Sequence, residues 1–139
     1  MKYKFEVLSE DNYRLSYKDK SFDFKSNVET IKELQGLIAD ARTQMVIDLA
    51  KKGTSIKELT IEKKENGKTY YDNTNVVELE KIYNEKITLQ YFDDKSKKIF
   101  GMTLTELVED IGLESAEESQ KFATEFINCL SGKDFLKAQ

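Results

Sequence analysis

The chain has no histidine, no proline, no tryptophan and a single cysteine, Cys129, in 139 residues. Each absence removes a class of chemistry. Without imidazole, a Ser or Cys nucleophile lacks its usual general base, and metal sites built on His or paired thiolates are excluded. A lone cysteine cannot close an internal disulfide, which points to a reducing, cytoplasmic setting. The six glycines are scattered singly, so no glycine-rich phosphate loop exists. No apolar run approaches a membrane span, and no basic, apolar signal segment opens the chain. A soluble, non-enzymatic protein without cofactor or metal is expected. The remaining acidic pairs, Asp93-Asp94 and Glu109-Asp110, read as solvated carboxylates rather than cation ligands, and Glu62-Lys63-Lys64 reads as a charged edge strand rather than part of a nuclease motif.

What is present is charge, unevenly placed. Charged residues make up 35% of the chain, with a net charge of −4. Residues 103–125 hold seven acids against one base, Lys121, while the preceding part is close to neutral. Such a balance argues against general binding to a phosphate backbone. At 39% hydrophobic content the chain can build one core without staples, so a single domain over 1–139 is expected, in three stretches, 1–53, 54–102 and 103–132.

The longest element is predicted at Ser26–Gly53. Ser26-Asn27-Val28-Glu29 has the form of a capping box, and Gly53 can end a helix in the left-handed conformation. Between them Val28, Ile31, Leu34, Leu37, Ile38, Ala41, Met45, Val46 and Leu49 recur at three- and four-residue intervals, the period of one helical stripe. The helix would span about 39 Å. Gly36 costs about 1 kcal/mol against Ala and suggests close packing of another backbone.

Before it, Tyr3, Phe5 and Val7, then Tyr13, Leu15 and Tyr17, then Phe22 and Phe24 alternate with polar residues, as half-buried strands do. An antiparallel three-stranded meander results, whose aromatic face the long helix is expected to cover. After it, Leu59 and Ile61 begin a hairpin turning at Asn66-Gly67, the strongest short turn signal in the chain. That turn sets Lys63 opposite Tyr70 and Glu62 opposite Tyr71. A helix starting at Asn75-Val76-Val77-Glu78 follows. Residues 86–92 and 98–102 are read as strands about a turn at Asp93-Asp94-Lys95-Ser96, although Val76, Leu79, Tyr83, Ile87 and Tyr91 also fit one helical stripe. Thr103-Leu104-Thr105-Glu106 and Ser115-Ala116-Glu117-Glu118 are two further capping boxes, opening helices that end near Gly112 and Gly132. The tail from Lys133 reads as a frayed end in which Phe135 and Leu136 can dock. The fold class is α+β: the meander on one long helix, then a hairpin and C-terminal helices.

Two surfaces follow. The first is an acidic face of Glu106, Glu109, Asp110, Glu114, Glu117 and Glu118, whose clustered carboxylates can imitate duplex phosphates and occupy a basic channel on a partner. A solvated helical face is the simpler reading. The second is the hairpin, where Lys63, Lys64, Lys68, Tyr70 and Tyr71 supply charge and stacking surface for a nucleic-acid strand or a partner. Small acidic single domains of this kind are frequent among phage and mobile-element accessory proteins. The expectation is therefore a protein-interaction module inhibiting a basic, nucleic-acid-handling host defence protein. The alternatives are a virion tail assembly chaperone and a weak nucleic-acid-binding protein using the hairpin. Partner identity and oligomeric state have no signature in the sequence.

Overall fold

The computed structural model describes residues 3–132, so the expectation for Phe135 and Leu136 falls outside the described residues. The fold is α+β, as the sequence pattern predicts. Three antiparallel strands, β1 (Tyr3–Ser9), β2 (Asn12–Tyr17) and β3 (Lys20–Lys25), are followed by the long helix α1 (Thr30–Lys51) and a short helix α2 (Ile56–Leu59). A hairpin of β4 (Ile61–Glu65) and β5 (Lys68–Asp72) leads into α3 (Thr74–Phe100), α4 (Leu104–Gly112) and α5 (Ala116–Leu130). The described residues fall into two compact units, one from those up to residue 33 and from residue 89 onward, the other from 34–88, with α1 and α3 each contributing residues to both. Among the described residues no helix is long and apolar enough to cross a membrane.

In the first unit the meander runs β1-β2-β3, with Phe5 opposite Leu15, Leu15 opposite Phe22 and Tyr13 opposite Phe24. These pairs share one face, because side chains alternate along a strand. Its cover differs from the one expected. Phe122 of α5 lies 5.0 Å from the Tyr3 ring and 5.4 Å from Phe5, and Phe126 one turn later lies 6.2 Å from Phe24. Phe100, the last residue of α3, meets both Phe22 and Phe24 edge to face. The aromatic face is thus closed by α5 and the end of α3, while residues 34–51 of α1 belong to the second unit. Two amphipathic helices competed for one face, and the i, i+4 phenylalanines of α5 offer more aromatic surface than the aliphatic stripe of α1.

The start of α1 also differs. Ser26 does not cap it: its hydroxyl donates to Asp11 Oδ1 at 3.1 Å, and its N–H to the Asp11 carbonyl at 2.8 Å. The Asn27 side chain takes the Glu29 N–H at 3.0 Å instead, and the helix begins at Thr30. Its buried stripe is narrower than predicted, with Ala41, Met45 and Leu49 inside and Val28, Ile31 and Val46 exposed. No backbone packs on Gly36: a Cβ built there meets nothing within 4 Å.

Within the second unit, α1 and α3 are tied by Arg42 to Glu80 at 2.5 Å and by the Tyr83 hydroxyl, which donates to Asp48 at 2.6 Å. The residues around Leu59 form helix α2, not the start of a strand. Ser55 caps it by accepting the Glu58 N–H at 3.4 Å.

The largest correction concerns residues 86–102. They hold no strands, because α3 continues unbroken to Phe100. No glycine or proline stands between Gly67 and Gly101 to interrupt it, and the alternative stripe through Val76, Leu79, Tyr83, Ile87 and Tyr91 is the one the fold uses. Gly101, at φ +78°, ends the helix. Asp93 is no turn residue either: its carboxylate accepts the Thr105 N–H at 2.7 Å and the Thr105 hydroxyl at 2.9 Å, anchoring the start of α4.

Candidate functional site

The acidic segment is built by two well-capped helices. Thr103 accepts the Glu106 N–H at 3.1 Å, and Ser115 accepts the Glu118 N–H at 3.2 Å, as both capping boxes predict. Leu104, Leu107 and Ile111 of α4 and Phe122, Phe126, Cys129 and Leu130 of α5 are buried. Gly112 faces Ser119 across the two helices, where an added Cβ would stand in ordinary van der Waals contact at 3.5 Å. The acids are left to the outer side. Glu106, Glu109, Glu114 and Glu117 are exposed, and Glu106 and Glu109, three residues apart, lie on one side of α4. Glu106, Glu117 and Glu118 stand in first helical turns, where the helix dipole favours negative charge.

The other two predicted acids are less exposed, and of the two it is the Asp110 carboxylate that is engaged within the first unit. Asp110 is half-buried, accepts the Tyr17 hydroxyl and pairs with Lys18 at 3.2 Å. Glu118 is half-buried, and its carbonyl takes the Tyr3 hydroxyl at 3.4 Å. One residue escapes sequence reasoning. Leu113, between Gly112 and Glu114, is 83% exposed, the most exposed large apolar side chain among the described residues. Its sequence signal is that it falls outside the Leu104, Leu107, Val108, Ile111 stripe.

Behind this face lie groups shifted by burial. Glu125 is buried, and desolvation raises its carboxyl above the usual range, opposed by Lys121 at 3.8 Å. Burial, reinforced by the neighbouring Glu125 charge, pushes the Cys129 thiol up to about 12. Burial likewise lifts the Tyr3 hydroxyl to about 12. At about 12, neither the Cys129 thiol nor the Tyr3 hydroxyl ionises near neutrality.

The hairpin has the predicted register, Lys63 opposite Tyr70 and Glu62 opposite Tyr71. Asn66 and Gly67 both take positive φ, at 55° and 76°. That register divides the basic and aromatic residues. Lys63, Lys68 and Tyr70 share one face of the ribbon, and Lys64 and Tyr71 the other. Lys63 is further tied to Asp72 at 2.9 Å. Asp72 also accepts the Thr74 N–H at 2.9 Å, so it joins the hairpin to the first turn of α3, and these bonds hold its carboxyl far below the usual range. Among the described residues no group of three or more Cys, Asp or Glu side chains is placed to hold a metal ion. No protein-family model matches the chain, no curated protein matches it in sequence, and no solved structure matches its fold.

Proposed function

We propose that the protein is a non-enzymatic interaction module whose outer α4–α5 surface engages a basic, nucleic-acid-handling protein. The observation that carries this reading is Leu113, 83% exposed among Glu106, Glu109, Glu114 and Glu117. Beside the exposed carboxylates, Leu113 supplies apolar area that contact with a partner would bury. Burying it against a partner is worth about 1.5–3 kcal/mol, and the surrounding carboxylates supply steering and exclude acidic competitors. Inhibition of a host defence protein by a phage or mobile-element accessory protein is the setting that suits this chemistry best. Immobilised protein should retain a basic protein from lysate of its source cell, and Leu113→Asp should release it. Equal retention by the variant would count against the reading.

A second reading, an assembly factor such as a tail chaperone, draws support from apolar side chains exposed in the second unit, including Val46, Ile47, Val77 and Ile82. It expects oligomers or co-purification with a structural protein, readable by light scattering. Nucleic-acid binding by the hairpin is supported by Tyr71 at 69% exposure, but the split of its lysines between two faces makes a continuous strand-binding track shorter. A gel shift with single-stranded and duplex probes tests it.

A further inference from the structure

The first unit contains a cleft of about 420 Å³ at the β2–β3 turn, within the range of small-ligand sites. Its floor is apolar, formed by Leu15 and Phe22 of the sheet, Phe100 and Met102 at the junction of α3 and α4, and Leu107 of α4. Phe22 and Phe100 meet edge to face at 5.6 Å, and Met102 beside them is the adaptable side chain that lets such a floor accept a flat group. The mouth carries Lys18, Asp19 and Lys20.

The two lysines differ. Lys18 is neutralised by Asp110 at 3.2 Å and leans over the Tyr17 ring at 5.4 Å. Lys20 pairs in register with Tyr17 and lies two residues from Phe22, so it occupies the inward face of the sheet that otherwise carries Tyr13, Leu15, Phe22 and Phe24. It makes no ion pair with another described residue. An ammonium without an ion pair among the described residues, at the edge of an aromatic floor, is complementary to an anion carried on a flat apolar body.

We propose that this cleft binds a small amphipathic carboxylate, with its apolar part on Phe22, Phe100 and Met102 and its anionic end at Lys20. The site is separate from the acidic outer face and does not depend on the reading of that face. Phenylbutyrate is a suitable probe and phenylbutanol its neutral counterpart. Titration of the full chain, followed by amide chemical shifts, should saturate below about 10 mM, with perturbations confined to residues 15–22 and 100–107. The acid should bind about threefold more tightly than the alcohol. Lys20→Ala should abolish that preference, and Lys4→Ala, on the outward face of β1, should preserve it. Absence of saturation, perturbations centred elsewhere, equal affinity of acid and alcohol, or a preference that survives Lys20→Ala would overturn the proposal.

Discussion

Gly36 sits in the middle of α1, exposed, with open space where a Cβ would project. Helical glycine costs about 1 kcal/mol relative to alanine through backbone entropy, so Gly36→Ala should stabilise the protein by about that amount, read as a higher urea midpoint. A loss of stability would mean that another surface needs the gap. Glu125 has the opposite character, a carboxylate that folding removes from water. Its raised folded pKa means the native state binds the proton more tightly than the unfolded chain. Its contribution is therefore fully present below the ordinary carboxylate range and is lost as pH rises through the folded value. Glu125→Gln should raise the melting temperature at pH 7, with the difference shrinking as the solution is acidified through the raised folded value toward about pH 4. A variant that melts lower at pH 7 would indicate that the charge is used. Cys129, buried and with its thiol raised to about 12, should react with a disulfide reagent only after denaturation.

At the scale of elements, α5 is the piece the first unit depends on. Phe126 meets Phe24, Phe100 and Phe122 and is fully buried. Phe126→Ala should cost about 3–5 kcal/mol in equilibrium unfolding, and a cost near that of a surface change would contradict this packing. The hairpin shows how well local chemistry can be read. Asn66-Gly67 alone fixed its turn and register, because only a few residue types tolerate two successive positive φ values. The caps at Thr103 and Ser115 were legible for the same reason, as each depends on four adjacent residues. Residues 86–102 were not. Ile87, Leu89 and Tyr91 satisfy both period two and part of a helical stripe, and the deciding fact is the absence of a breaker before Gly101. The partner of the aromatic face was equally hidden, since α1 and α5 are both amphipathic and local pattern does not say which one docks.

For the whole molecule, two compact units share α1 and α3. We expect them to unfold as one, with helix content and tyrosine fluorescence tracing a single urea transition; two separated transitions would contradict a single domain. The candidate site was partly legible. Acid clustering was visible in composition, but the engagement of Asp110 with Tyr17 and Lys18 joins residues more than ninety positions apart, and the exposure of Leu113 is a property of the corner between two packed helices. Neither follows from neighbours in sequence. The functional claim rests on charge and one leucine acting together at that corner. Its most direct test is the affinity of the retained basic protein for the wild type and for a chain with Glu106, Glu109, Glu114 and Glu117 changed to Lys, titrated between about 50 mM and 500 mM salt. Binding to the wild type should weaken at least tenfold across that range, by order of magnitude, and the charge-reversed chain should not bind at any salt. Affinity indifferent to salt and to the four substitutions would contradict the account.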